Sequence, residues 1–134
     1  MKTRSLFTMM LFLVLSFSLF SQPCADSSFL LQTQEDIDNF ASLYPDCTEI
    51  QGNLAIEGYG IFSLEGLSQI ERVNGDLDIC IVFDLESLSG LDNLTYVGGS
   101  LSVDYSGIVN LTGLGSLDSV GSLWLGYNPT INLR

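Results

Sequence analysis

Carboxylates are the side chains with which this sequence could carry out chemistry. The chain contains 16 Asp and Glu residues and no histidine, and its only lysine is Lys2. Serine–histidine and cysteine–histidine catalysis are therefore excluded, and so is a lysine Schiff base beyond the amino terminus. A pair of carboxylates, of the kind that glycosidases use, is the remaining route to acid–base catalysis.

Asp76, Asp78 and Asp104 are the carboxylates that the sequence brings closest together. They alternate with apolar residues in two neighbouring repeats, so we expect them on one outward face of a sheet. Acidic side chains are common on a solvated sheet face, and we predict that the protein is not an enzyme and has no catalytic residues. With Glu57 they offer oxygen ligands suited to calcium, but the sequence has no EF-hand loop. We predict no metal site and no cofactor.

The three cysteines are Cys24, Cys47 and Cys80. Their spacing does not suit zinc, which takes four closely grouped ligands. In an oxidising compartment Cys24 and Cys47 can form a disulfide around the amino-terminal segment, and this is our prediction. Cys80 is then left as a free thiol, with pairing between two molecules as the alternative.

Trp124 is the only tryptophan of the chain and the residue that most strongly suggests a ligand. The alternation of its segment places it outward, beside Ser102 and Asp78 at the equivalent positions of the two preceding repeats. An exposed aromatic ring flanked by hydrogen-bond acceptors can support a sugar or a peptide. The alternative is that Trp124 packs beneath the carboxy-terminal tail or against a further neighbour. The predicted ligand-binding residues are Asp76, Asp78, Ser102, Asp104 and Trp124.

The elements that carry these residues are repeats of one pattern. The pattern begins at Ile50, Val73 and Val97, so its period is 73 − 50 = 23 and then 97 − 73 = 24 residues. A fixed period of about 20–30 residues, with one strand-like segment per repeat, is typical of a solenoid. Apolar residues alternate with polar ones in each such segment, which predicts stacked parallel strands with one buried face. The predicted inward residues are Leu54, Ile56, Leu77, Ile79, Leu101, Val103, Leu123 and Leu125.

A second apolar pattern in each repeat has a spacing of three, as in Leu88, Leu91 and Leu94. This spacing would fit a helix, but a glycine such as Gly90 interrupts each copy, and glycine is less favourable than alanine in a helix by about 1 kcal/mol. We therefore predict short extended pieces and turns that form the other walls of the solenoid. The glycine before each strand, such as Gly75, is predicted to take a positive φ at a tight corner.

Residues 1–22 are predicted to be a secretory signal peptide. Lys2 and Arg4 precede an apolar run over residues 6–20, which is shorter than the ~20 residues that span a bilayer. We therefore expect the protein to be secreted, or to lie in the cell envelope or on the cell surface.

Residues 23–49 are predicted to be an amino-terminal cap of the solenoid. Thr33 and Asp36 have the spacing of a capping box, and apolar residues at helical spacing follow them, so we predict one short helix over residues 34–44. Such a cap covers the end of the stacked core, which would otherwise be exposed to water.

The charge of the mature chain limits its partners. Beyond residue 22 the basic residues are Arg72 and Arg134, so the net charge is about 2 − 16 = −14. Binding to nucleic acid or to anionic lipid requires a basic surface. We predict no nucleic-acid partner and no membrane insertion of the mature chain.

Two stretches of the sequence carry motifs that recur in a known family. One is Cys-Thr-Glu-Ile-Gln-Gly-Asn-Leu-Ala-Ile at residues 47–56. The other is Ser-Leu-x-Gly-Leu at residues 63–67, followed by Ile-x-x-Val-x-Gly-x-Leu at residues 70–77. Together they resemble receptor L-domains, the leucine-rich-repeat-like β-helical modules of insulin-type and epidermal-growth-factor-type receptors. Relatives of this type occur in fungal cell-wall proteins and in exported bacterial proteins.

The repeats and this resemblance imply an all-β fold. We expect a right-handed parallel β-solenoid of about 3.5 coils over residues 23–134, with a short amino-terminal capping helix. The last residues carry no second cysteine pair and no visible cap. The chain is therefore interpreted as truncated, or as having a last coil that further repeats or a partner covers.

The resemblance also implies a function without catalysis. We predict an extracellular or cell-envelope recognition module that binds a protein or a glycan through the outward face of its parallel sheet. Ligand contacts vary within the family, so none is carried over by residue. The alternative is a structural or adhesive spacer of a surface protein, without a discrete ligand.

Overall fold

The computed structural model describes Cys24, residues 28–128 and Ile131. The predicted signal peptide lies outside these residues. Among the residues described, no helix is long and apolar enough to cross a membrane. The elements are β1 (Phe29–Leu31), α1 (Gln34–Leu43), β2 (Glu49–Ile50), β3 (Leu54–Glu57), a 3-10 helix (Glu65–Leu67), β4 (Arg72–Val73), β5 (Leu77–Val82), β6 (Tyr96–Ser106) and β7 (Ser119–Trp124).

The strands form a parallel sheet with two walls. In the longer wall β1, β3, β5, the second half of β6 and the end of β7 lie side by side. In the shorter wall the neighbours are β2, β4, and the first residues of β6 and β7. Strand β6 belongs to both walls, and its register with β7 is irregular between Val97 and Ser100, where the walls meet. The predicted sheet-rich architecture of stacked parallel strands is therefore present.

The third side of each coil consists of turns. The N–H of Leu91 donates to the carbonyl of Leu88 at 3.0 Å, and the N–H of Leu94 donates to that of Leu91 at 2.9 Å. One coil earlier, Glu65–Leu67 forms the 3-10 helix. Gly90 has a φ of 109°, which is incompatible with an α-helix. The prediction of turns in place of a helix is confirmed, although successive i to i+3 bonds replace the expected extended pieces.

Apolar side chains from all three sides fill one core. The predicted inward residues from Leu54 to Val103 are fully buried. Each buried leucine or isoleucine contributes roughly 1.5–3 kcal/mol of hydrophobic stabilisation. The last coil differs from this pattern. Leu123 is aligned with the buried Leu101 but is 49 % exposed, and Leu125 is only half-buried, because β7 pairs with β6 alone among the described strands.

Helix α1 begins at the predicted capping box. The hydroxyl of Thr33 accepts a hydrogen bond from the N–H of Asp36 at 3.1 Å, and the Asp36 carboxylate accepts one from the N–H of Thr33 at 2.9 Å. The backbone N–H of Gln32 and the Thr33 hydroxyl hold the pKa of Asp36 below its ordinary value. The helix ends at Leu43, one residue before the predicted end, with Tyr44 as its C-cap.

The inner face of helix α1 covers the first coil with an aromatic cluster. Ile37 and Phe40 are buried, and the ring of Phe29 lies 5.2 Å from that of Phe40 and 5.0 Å from that of Tyr44. Phe29 belongs to β1, which pairs with β3 and which the sequence pattern does not predict. The cap is therefore a strand and a helix rather than a helix alone.

Cys24 and Cys47 form the predicted disulfide. It joins the segment before β1 to the segment before β2, and so it encloses the whole cap. Cys80 is a half-buried free thiol on β5.

The glycines before the strands make room for polar side chains. Gly75 does not have the predicted positive φ. An added Cβ there would collide with Oδ1 of Asn53, the atom that accepts a hydrogen bond from the N–H of Asp76 at 2.8 Å. Asp76 in turn accepts one from the N–H of Ser100, also at 2.8 Å. The prediction of a positive φ is therefore wrong at Gly75, and close approach between coils is the reason for glycine there.

Candidate ligand-binding face

The outward face of the longer wall carries one continuous row of side chains across five strands. Its register is the predicted one, and Leu30 of β1 extends it beyond Ala55. Both ends of the row are apolar, because Leu30 is 54 % exposed and Trp124 is 57 % exposed. The residues of this central row are Leu30, Ala55, Asp78, Ser102 and Trp124.

Trp124 is held in place by a flanking carboxylate. Its indole Nε1–H donates to Oδ1 of Asp104 at 3.0 Å. The second oxygen of Asp104 accepts a hydrogen bond from the hydroxyl of Ser102 at 3.2 Å. An added Cβ at Gly126 would lie 2.5 Å from both Oδ1 of Asp104 and Nε1 of Trp124, so this glycine leaves room for the pair. The three predicted residues therefore form one connected unit with an exposed indole ring.

Asp76 has a structural role at the margin of this face. Its carboxylate accepts the hydrogen bond from Ser100 and continues the polar ladder from Asn53. The side chain is half-buried and one of its oxygens is used within the protein. Asp76 is therefore only partly available to a ligand.

Asp78 is the exposed carboxylate at the centre of the row. Partial burial raises the pKa of its carboxyl, and the negative charges of Asp76 and Asp104 raise it further. A carboxylate in this setting favours a cationic or hydrogen-bond-donating group of a ligand. In the part of the chain that the structure describes, no group of three or more Cys, Asp or Glu side chains is arranged to hold a metal ion.

Replacing Asp78 with asparagine is expected to stabilise the protein at neutral pH. Because the folded state raises the pKa of Asp78, its ionisation reduces the free energy of unfolding as the pH rises from the unfolded-state pKa through the folded-state pKa. Asp78→Asn should gain up to about 0.5 kcal/mol at neutral pH, a small effect because the carboxyl remains partly hydrated. The gain should vanish below about pH 3, where aspartate is protonated in both states.

Thermal unfolding across this pH range measures the difference between the variant and the unmodified protein. Asp118→Asn, on the segment before β7, controls for the loss of one negative charge. An equal gain in both variants would mean that overall charge, not the surroundings of Asp78, determines the effect.

Comparison with known protein families decides what kind of module this is. The model of the family described as "Receptor L domain" matches residues 46–129, which is more than half of the chain. The chain belongs to the receptor L domain family. No curated protein and no solved structure matches it. Family membership suggests a ligand-binding module of the receptor type, and the matched range includes every predicted ligand-binding residue.

This receptor L domain also has an aromatic corner that the sequence analysis does not identify. Three of its four exposed rings follow strands of the longer wall, and the fourth, that of Tyr105, belongs to the last residue but one of β6. The rings of Tyr59 and Phe83 are 6.1 Å apart, and those of Tyr105 and Tyr127 are stacked at 4.9 Å with an interplanar angle of 10°. An aromatic residue two to four positions beyond the last inward residue of each repeat is the sequence signal that would have indicated them.

Cys80 lies on the flanking row of the same face in this receptor L domain. It is aligned with Glu57 and Asp104, and its thiol lies 3.6 Å from Oε2 of Glu57. Partial burial, followed by the charge of Glu57, raises the pKa of the thiol. A thiol of this kind contains little thiolate and is a weak nucleophile.

Proposed function

We propose that this receptor L domain is a non-catalytic recognition module that binds a protein or a glycan through the outward face of its longer wall. The observation that supports the proposal is the unit of Trp124, Asp104 and Ser102. It holds an exposed indole ring in a fixed position beside hydrogen-bonding groups. A ring that is already immobilised loses little conformational entropy when a ligand binds.

The mixture of groups on the central row supports recognition rather than mere solubility. Leu30 and Trp124 supply exposed apolar surface at its two ends, and Asp78 and Ser102 supply polar groups between them. Aromatic anchors surrounded by polar groups are typical of the residues that dominate binding energy.

We further propose that the protein is exported, either secreted or retained at the cell envelope or surface. The disulfide between Cys24 and Cys47 and the family membership fit an extracellular domain, because disulfides persist in oxidising compartments. Residues 1–22 would serve as the signal peptide. The solenoid would be right-handed with about 3.5 coils, and further repeats or a partner would cover the last coil.

A binding screen with two face variants tests the proposed function. The protein is screened against glycans and against extracellular proteins, and every ligand found is measured again with Trp124→Ala and with Asp78→Ala. We expect each variant to weaken binding about tenfold, the loss that corresponds to removal of one good contact. Because Trp124 is the only tryptophan, ligand binding at this face should also change the intrinsic fluorescence of the unmodified protein.

Two variants elsewhere on the surface serve as controls. Leu43→Ala removes an exposed apolar side chain from helix α1, and Asp118→Ala removes an acidic side chain before β7. Both should bind like the unmodified protein. If Trp124→Ala and Asp78→Ala also left the affinity for every ligand unchanged, the outward face would be the wrong surface.

A structural or adhesive spacer is the second candidate function. The observation that favours it is the partly exposed apolar surface of the last coil, where Leu123 and Val120 lie on β7. The spacer would be favoured over the recognition module if the screen found no ligand and if the protein self-associated increasingly as its concentration rose.

A further inference from the structure

The aromatic corner, made up of Tyr59, Phe83, Tyr105 and Tyr127, lies outside the face proposed above. The exposed fractions of these side chains range from 46 % for Tyr105 to 81 % for Tyr59. Phe83, Tyr105 and Tyr127 line a shallow groove of about 540 Å3, together with Leu125 and Asn128. The groove therefore offers a partner a continuous apolar surface.

Two of the four aromatic residues, Tyr105 and Tyr127, have an unfavourable backbone conformation. Ile81, Tyr105 and Tyr127 occupy equivalent positions of three successive coils, and all have a left-handed φ of 49–56°. Glycine adopts this conformation readily, whereas other residues lose roughly 1–2 kcal/mol in it. Tyr105 and Tyr127 keep this costly conformation while their rings stack and line the groove, whereas the equivalent Ile81 lines neither cavity.

A second, smaller cavity has an acidic lining. Its volume is about 200 Å3, and Glu65, Asp84 and Glu86 line it together with Phe62 and three serines. Asp84 of this pocket follows Phe83 of the groove directly in the chain, so a ring of one lining and a carboxylate of the other belong to consecutive residues. The position of Asp84 is fixed by a hydrogen bond that its carboxylate accepts from the N–H of Gly60 at 3.2 Å.

We propose that this corner binds a peptide segment of a partner protein that presents a basic side chain beside an apolar one. The apolar side chain would lie in the groove against Phe83 and Tyr105, and the basic one in the acidic pocket beside Glu86. Charge complementarity determines the occupant, because residues 28–128 contain 15 acidic side chains and one basic side chain, Arg72. A neutral glycan would not use this charge, and Tyr105 and Tyr127 already cover one face of each other's ring.

Arg72 shows the same recognition chemistry within the protein. Its guanidinium lies 4.0 Å from the ring centroid of Tyr96, and its Nε is 3.8 Å from Oε1 of Glu49. A cation between a ring and a carboxylate is stabilised by both. In the acidic pocket the ring of Phe62 and three carboxylates are present, and the partner would supply the cation.

Peptide titration tests this inference. The probes are short synthetic peptides with one arginine and one leucine at varied spacing, and matched peptides with glutamate in place of the arginine. We expect the basic peptides to bind with a salt-dependent affinity and the acidic ones not to bind. Tyr105→Gly should weaken binding of the best basic peptide about tenfold. It should not lower the thermal midpoint, because glycine relieves the left-handed backbone.

Ile81→Gly is the matched control for Tyr105→Gly. It changes the equivalent position one coil earlier and relieves the same backbone conformation, but Ile81 lines neither cavity. Its affinity for the peptide should equal that of the unmodified protein. Glu86→Gln, which keeps the size and removes the charge, should weaken binding and reduce its dependence on salt.

Four outcomes would overturn the inference. The first is that no basic peptide binds, and the second is that Tyr105→Gly and Ile81→Gly lower the affinity equally. The third is that the peptide binds but loses affinity only in Trp124→Ala, which would place it on the outward face. That result would support the proposed function, so the two proposals fail independently. Binding of neutral oligosaccharides in place of the peptides, abolished by Tyr105→Gly, would also contradict a peptide ligand.

Discussion

Replacing Gly90 with alanine is expected to lower the free energy of unfolding by at least about 3 kcal/mol. Gly90 has a φ of 109°, a conformation that residues with a Cβ rarely adopt. An added Cβ would also collide with the carbonyl group of Leu64 and the backbone N of Glu65 in the preceding coil. Because all these atoms belong to the backbone, no side-chain rotation can relieve the contact, and the two coils would have to separate.

Chemical denaturation monitored by the fluorescence of Trp124 measures this loss. Gly115→Ala is the matched control. An added Cβ there would have no heavy atom of a neighbouring segment within 4 Å, and the φ of Gly115 is not left-handed. The control should change the stability by no more than about 0.5 kcal/mol. If the two variants had the same denaturation midpoint, the coils would not be in close backbone contact at Gly90, and the prediction would be wrong.

Removal of the disulfide should have an effect of similar size. Cys24 and Cys47 are 23 residues apart, and the entropy of closing a loop of this length in the unfolded chain gives about 3.4 kcal/mol. The double variant Cys24→Ser with Cys47→Ser should therefore unfold at a markedly lower denaturant concentration. The cap should unfold before the rest of the protein, because the disulfide encloses β1 and helix α1.

Cys80→Ser provides the control for the disulfide variant. Cys80 is a free thiol, so its replacement should have little effect on stability. A reductant should lower the midpoint of the unmodified protein and of Cys80→Ser, but not that of the double variant. Equal sensitivity of all three proteins to the reductant would show that the bridge contributes nothing to stability.

The sequence predicts the regular part of the fold because that part depends on local alternation. A strand with one buried face must alternate, and a fixed period must stack equivalent positions, so the row from Ala55 through Ser102 to Trp124 follows from the pattern. The helix start is equally predictable, because Thr33 and Asp36 satisfy each other within one turn.

The features that the sequence does not predict depend on contacts between coils. Strand β1 is three residues long and is defined by pairing with β3, so its own pattern is too short to indicate it. The role of Gly126 depends on the bond between Asp104 and Trp124, which no spacing rule anticipates. The stacked rings of Tyr105 and Tyr127 likewise require knowledge of which backbone positions become equivalent.

The register of the strands has a consequence for how such a protein can change in length over evolution. Paired residues are 23 apart between β3 and β5, 24 between β5 and the second half of β6, and 22 between Leu101 and Leu123. Each coil contacts only its neighbours, so tandem duplication of one whole period would preserve every existing pairing. Insertions of a single residue are absorbed at corners such as the segment between Val97 and Ser100. A gene of this kind can therefore grow by whole coils while its binding surfaces lengthen in register.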